Sequence, residues 1–366
     1  KVIPVSLPSK PSLNFLKQLI AARGPSGFEA AVQQTWVEHI KDIADQIETD
    51  YYGNCWATLK APIDNAPTIV VTGHADEIGL MVNHIETSGL LRIVPIGGID
   101  PTILSGRRIK IQTDQGELYG VIGSIPIHLQ NKKGERKPPT IDELFIDCGF
   151  KNGEEAAKQV RIGNIATIAD NLEMLGETRI VSRATDNRIG IYSAAETLQR
   201  LAKKRHKLEV NVIALSTIQE EIGLVGAQLA TRQIKPDLAL VVDVTHATDI
   251  PGISQAKHGK VEMGKGPTIT HGTSNHPRLV ERIMAVATTN NIPLQHEASS
   301  RYTGTDTDAI YKATTGIPSA LISLPNRYMH TPSEVIDLED LESLVSLLTA
   351  VILDLKKDDV FCNINL

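Results

Sequence analysis

Four uninterrupted apolar runs stand out along the chain: PTIVVTGH around Val70, VNVIALSTI around Val212, LALVVDVT around Val241 and SALISLP around Ile322. Runs this long, rich in branched residues and lacking a polar face, predict strands covered on both sides, as in a central α/β sheet. Between them the apolar period lengthens to that of a helix. LNFLKQLIAARG repeats at helical spacing over residues 13–24 and stops at a glycine. PSGFEAAVQQTWVEHIKDIADQI predicts a second helix, with Ser26 expected as its N-cap ahead of Glu29. Further helical patterns start at Asp186 and Pro277. The expected core is an α/β three-layer αβα sandwich.

From Ile78 to Leu175 the pattern changes. Short alternating runs, including GLMVNHIETSGLLRIVPIGG, GRRIKIQTDQGELYGVIGS, LFIDCGF and VRIGNIATI, are broken by Gly, Pro and Asn. Such spacing predicts hairpins closing into a small barrel. Residues 78–175 are therefore expected to form a mostly-β, barrel-like domain inserted into a catalytic domain made of residues 1–77 and 176–366.

Composition narrows the function classes. With 41% hydrophobic residues in 366 the chain can bury a large core, and no apolar run is long enough to predict a membrane span or a signal peptide. Three scattered cysteines, Cys55, Cys148 and Cys362, are odd in number and form no CxxC pair. That argues against a disulfide framework and a thiolate zinc site, and favours a reducing cytoplasm. The net charge is −6, and the basic runs KKGER at 132–136 and KKRHK at 203–207 are short and free of aromatics, so no nucleic-acid partner is expected.

The candidate chemistry gathers where strands end. His74 and Asp76 follow the first run and point the same way in an extended backbone. A carboxylate beside a histidine can fix the ring tautomer for metal binding, although an isolated HxD is more often an ordinary surface pair. Glu220 and Glu221 follow the second run, Asp243 closes the third, with His246 and Asp249 as weaker candidates behind it, and His330 follows the fourth. Asp186 opens a helical segment, where an N-cap is the default role. In open α/β sheets ligands bind beyond the carboxyl ends of the strands, so the coincidence points to one site. Carboxylates gathered without counter-charge repel, and the mixture with histidine suits zinc, cobalt or manganese better than magnesium or calcium.

In chain order the motifs PSGFE, TGHADEIGLMV, LFIDCGF, VRIGN, RATDNRIG, QEEIGLVGA, DVTHATDIPG, GKGP, TGTDTDA and RYMHTPSEV resemble those of the glutamyl and deblocking aminopeptidases, metallopeptidase family forty-two. That family comprises dinuclear-metal peptidases assembling as tetrahedral dodecamers. The resemblance implies two divalent ions per subunit, zinc first and cobalt or manganese as alternatives. One ion would be held by His74 and Asp243, the other by Glu221 and His330, with Asp186 bridging. Asp76 would orient His74, and Glu220 would be the general base. It also implies a peptide substrate cleaved at its first residue and a homo-oligomer. TGTDTDA departs from a family stretch usually richer in glycine, so Arg301, Tyr302, Thr305 and Asp306 are carried only as weak candidates for the substrate pocket. Another dinuclear-metal hydrolase and a glucanase-like glycoside hydrolase are the enzymatic alternatives, and a non-catalytic scaffold is a third. Two-carboxylate glycosidases need no such histidine set, and 4% aromatic residues offer few sugar-stacking platforms.

Overall fold

The computed structural model describes residues 7–129 and 138–364; the basic run at 132–136 lies outside them. In chain order α1 (Lys10–Ala21) and α2 (Ala30–Ile40) precede β1 (Gln46–Thr49), β2 (Cys55–Leu59) and β3 (Thr68–His74). The chain then forms β4 (Gly79–Ile85), β5 (Leu91–Ile96), β6 (Arg108–Thr113), β7 (Gly116–Gly123), β8 (Phe145–Asp147), the short α3 (Gly153–Ala157) and β9 (Ile165–Ile168). After β10 (Glu173–Leu175) and β11 (Arg179–Ser182) come α4 (Thr185–Ala202), β12 (Asn211–Thr217), α5 (Val225–Ile234) and β13 (Leu238–His246). The last part holds α6 (Gln255–His258), β14 (Thr268–Gly272), α7 (Pro277–Thr289), β15 (Gln295–Ser299), α8 (Thr307–Ile310), β16 (Ser319–Asn326), β17 (Glu334–Asp337) and α9 (Leu338–Asp354).

Among the described residues one eight-stranded sheet runs β1-β2-β12-β3-β13-β16-β14-β15. Its centre is parallel, and each apolar run of the sequence is one of its four central strands, buried along nearly its whole length. Helices α1, α2, α4, α7 and α9 cover one face in the largest apolar cluster. On the other face α5 and α8 pack Ala227 and Ile310 against Ala239, Val241 and Leu321. The expected αβα sandwich is what forms, because strands without a polar face must be covered twice.

Strands β4 to β9 close into a six-stranded barrel with its own core of Leu80, Val82, Ile93, Ile109, Ile111 and Ile146. Alternation along these strands sends one side chain in and the next out. Glu173–Leu175 lies outside the barrel: as β10 it pairs with β11, which pairs with β17. Three buried arginines, Arg23, Arg183 and Arg188, sit where the chain passes between barrel and sandwich. Arg23 donates to Thr167 Oγ1 at 2.8 Å and to the Ile168 carbonyl at 2.6 Å, tying the end of α1 to β9. Arg183 and Arg188 both donate to Glu77, one residue past Asp76, so two guanidiniums share a single carboxylate in the interior.

Ser26 does not cap a helix. The second helix starts at Ala30 behind Glu29, without a side-chain cap bond, and Ser26 Oγ instead donates to Asp76 Oδ2 at 2.6 Å. A buried carboxylate is a stronger acceptor than a solvated helix end is a donor, and it takes the hydroxyl.

Candidate metal centre

Parallel register delivers the site. Thr217 pairs with His74, so β12 and β3 end level, and Asp243 lies near the end of β13 on the other side of β3. Just past β12, Gln219 has a left-handed φ of 54° and Gly223 a φ of 128°, which turns the chain back and presents Glu220 and Glu221 over the strand ends. Gly226 then allows α5 to approach β12 closely: a Cβ there would stand 2.3 Å from the Ile218 carbonyl. His330 follows β16 with a left-handed φ of 60°, a conformation costing about 1–2 kcal/mol for a non-glycine residue. Its N–H donates to Glu334 Oε1 at 3.0 Å, which helps to hold it there.

Asp186 is not an N-cap. Its own backbone and that of Asn187 are non-helical at the head of α4, and its carboxylate turns into the site. Asp186 Oδ1 lies 3.2 Å from His74 Nε2, and Oδ2 lies 3.2 Å from His330 Nε2. His330 Nε2 is also 3.3 Å from Glu221 Oε2. Two groups of ligand atoms result, each within 4.8 Å: His74, Asp186 and Asp243, and Asp186, Glu221 and His330. Asp186 belongs to both. Glu220 belongs to neither, yet its Oε2 is 3.8 Å from His74 Nε2.

The tautomers follow from the acceptors. His74 Nδ1 lies 3.2 Å from the Asp76 carbonyl and 3.3 Å from Asp76 Oδ1, and His330 Nδ1 lies 3.0 Å from the Gly98 carbonyl. Neither partner can donate, so each Nδ1 carries a proton, which leaves each Nε2, facing Asp186, as the nitrogen that gives up its proton to ligate a cation. Gly98 comes from the turn after β5, so the barrel segment helps to orient the site.

Asp76 holds more than His74. Fully buried, it accepts from Glu220 N at 3.0 Å through Oδ1 and from Glu221 N at 3.1 Å through Oδ2, besides Ser26. Burial alone would raise its pKa, but His74, Ser26 and the Glu220 N–H outweigh it and keep the carboxyl below its ordinary value. Glu334 plays the matching part on the far side. It accepts from Thr185 Oγ1 at 2.6 Å and Asp186 N at 3.0 Å as well as from His330. Sequence reasoning gave Glu334 and Glu77 no role; Glu77 is next to Asp76 and Glu334 lies four residues after His330, and that proximity was the available signal.

The electrostatics call for cations. Burial pushes Glu220 up to about 10, helped by Asp243, Asp306 and Glu221 and opposed by His74. Burial likewise raises Glu221 and Asp243. Asp186 is held low against burial by His330 and His74, and its bond and that of Glu221 lift His330 to about 11. Four carboxylates, Asp186, Glu220, Glu221 and Asp243, share this pocket with two histidines. A donor set of this composition fits divalent cations of the zinc, cobalt or manganese kind.

The remaining candidates lie outside both ligand groups. Asp249 is paired with Arg327 at 2.7 Å, and His246 is exposed. Thr305 and Asp306 are buried; Asp306 Oδ2 accepts from Thr217 Oγ1 at 2.6 Å, next to the strand that leads to Glu220. Arg301 and Tyr302 are exposed and stack on each other, with Lys312 also over the Tyr302 ring. A small cavity of about 30 Å³ adjoins the Asp186, Glu221 and His330 group on its barrel side, lined by Ile78, Leu80 and Ile103 among others.

The family model described as M42 glutamyl aminopeptidase matches residues 53–347. Lysyl aminopeptidase of Pyrococcus furiosus is 37% identical over 94% of this chain and 97% of its own. Among solved structures, the TET aminopeptidase from the marine sediment archaeon Thaumarchaeota archaeon SCGC AB-539-E09 superposes with a TM-score of 0.90 at 32% identity, covering 94% of this chain and 97% of that one. The Pyrococcus horikoshii TET1 peptidase, which can assemble into a tetrahedron or a large octahedral shell, gives 0.83 at 30% identity, over 94% and 100%.

Proposed function

The chain belongs to the M42 glutamyl aminopeptidase family and is a metal-dependent aminopeptidase, and from that premise we propose how its centre works. One cation would be held by His74 and Asp243, the other by Glu221 and His330, with Asp186 shared. The observation that carries this reading is the pair of ligand groups meeting at Asp186, whose two oxygens face the two Nε2 atoms. Zinc is the first choice of metal, with cobalt or manganese as alternatives. Bound there, two divalent ions supply charge that polarises the scissile carbonyl and acidifies the attacking water.

The protein groups do the rest. Glu220, beside both ligand groups but in neither, takes the proton of the attacking water and hands it to the departing amine, which cannot leave as an anion. Burial and neighbouring carboxylates favour the protonated form, so Glu220 readily accepts that proton; added cations pull the other way and bring it back toward neutrality. Asp76 fixes the backbones of both glutamates and the tautomer of His74. Acidic side chains around the centre orient the free amine of the substrate, which confines cleavage to the first residue.

Residues 78–175 act in this reading as the inserted domain that builds subunit interfaces and limits access. Tyr119, Val121 and Ile162 are exposed apolar residues in that stretch, which supports the role. The assembly is a tetrahedral dodecamer in a reducing cytoplasm, to which the three free cysteines are suited. The direct test is a panel of aminoacyl chromogenic substrates, assayed after chelation and after re-addition of zinc, cobalt or manganese. Turnover should vanish and return; activity that survives complete chelation refutes the dinuclear reading.

A further inference from the structure

The sheet face that carries the centre continues beyond it. Alternation on β13 puts Ala239, Val241, Asp243 and Thr245 on one face. Ala239 and Val241 lie in the apolar cluster with Ile310 of α8, and then the face turns polar. Ser323 of β16 is the register partner of Asp243, Thr268 of β14 is the partner of Ser323, and Glu297 of β15 is the partner of Thr270. Register partners point the same way, so Glu297 shares the face of Asp243.

Its carboxylate is aimed along that face. Glu297 Oε2 accepts from Thr245 Oγ1 at 2.8 Å and Oε1 from Thr270 Oγ1 at 2.6 Å. Both donors are neutral, and among the described residues no lysine, arginine or histidine pairs with Glu297. A carboxylate has about four lone-pair sites, so about two are open. Thr245 and Glu297 are both half-buried, and thus reachable from solvent, whereas Ser323 and Thr268 are fully buried. Thr245 stands two residues beyond Asp243, roughly 6.6 Å along the strand. That spacing suits the four-carbon stem of lysine, or the longer arm of arginine, on a residue whose amine sits at the centre.

We propose that Glu297, held by Thr245 and Thr270, selects substrates with a cationic first side chain and disfavours acidic ones. The proposal rests on the aminopeptidase reading and names the substrate class of that site. A half-buried carboxylate without a counter-ion gains from an arriving ammonium or guanidinium and repels a carboxylate, which makes the discrimination two-sided.

The test uses the metal-loaded enzyme and lysyl, arginyl, norleucyl and glutamyl chromogenic substrates. Norleucine keeps the stem of lysine without its charge. Lysyl and arginyl kcat/KM should exceed norleucyl by about tenfold or more, with glutamyl lowest, and the gap should narrow as salt rises. Glu297→Gln should bring the lysyl-to-norleucyl ratio to within about threefold of unity, a change in discrimination that a structural role alone would not produce. Equal lysyl and norleucyl rates, a glutamyl preference, or an unchanged ratio in Glu297→Gln overturns the proposal. Should that variant fail to fold, the salt series on the unaltered enzyme decides. Absence of turnover on all four substrates with each metal would overturn the aminopeptidase reading itself, an outcome distinct from lost preference.

Discussion

Replacing Asp76 with asparagine changes one oxygen to an amide nitrogen in a side chain that is otherwise the same shape. In the structure Oδ1 faces Glu220 N and His74 Nδ1, and Oδ2 faces Glu221 N and Ser26 Oγ. All four are donors as they stand, so the new amide must confront two of them in either orientation. The cheaper choice points it at Ser26, whose hydroxyl can turn and accept, and leaves the Glu221 N–H without a partner. An orphaned buried N–H costs about 1–3 kcal/mol. The three bonds that survive lose their charge assistance, at about 1 kcal/mol each. The sum is about 4–6 kcal/mol, and it falls on the turn that presents Glu221 and on the tautomer of His74. Metal affinity should drop by about 10–100-fold, the usual cost of losing a group that orients ligands. Denaturant unfolding of the metal-free protein measures the first quantity and calorimetric zinc titration the second. A variant within about 1 kcal/mol of the parent in stability, with unchanged zinc affinity, would show that Asp76 is not the anchor of this turn.

Three further outcomes are expected. Glu220→Gln should keep its full metal content by elemental analysis yet lose about 10²–10⁴-fold in kcat; loss of metal would instead make Glu220 a ligand. Glu77→Gln removes the charge shared by Arg183 and Arg188 and should cost about 3–5 kcal/mol in denaturant unfolding, because two guanidiniums stay buried and uncompensated. Burial works to raise the pKa of Glu77, but those two arginines outweigh it and hold the carboxyl below its ordinary value of 4.5. Its stabilising contribution is therefore complete above about pH 4.5 and declines as pH falls toward the depressed folded value. Unfolding midpoints from pH 7 to pH 3 should show a shallower acid loss in Glu77→Gln than in the parent; parallel curves would contradict this.

Much of the architecture was legible in the pattern of residues. Each apolar run around Val70, Val212, Val241 and Ile322 is a central strand, because side chains that find no water on either face leave no choice of layer. The broken alternation after Ile78 likewise announced a closed β structure with one side inward. Local rules were weaker guides where a buried charge competes. Ser26 and Asp186 read as helix caps, and both are drawn into the site, since an interior carboxylate or imidazole outbids a helix end that water can serve.

What the sequence determined alone is the four central strands of the sheet and the fact that acids and histidines follow them. Periodicity carries that information within ten residues. Only the tertiary structure decided that Asp186 faces two histidines at once, that Gly98 of the barrel segment sets the His330 tautomer, and that Glu334, Glu77 and Asp76 hold the chain around the centre. Those partners lie up to 232 positions apart. Hydrogen bonds and charge pairs act over a few ångströms of space, and no local pattern records which distant donor will arrive there.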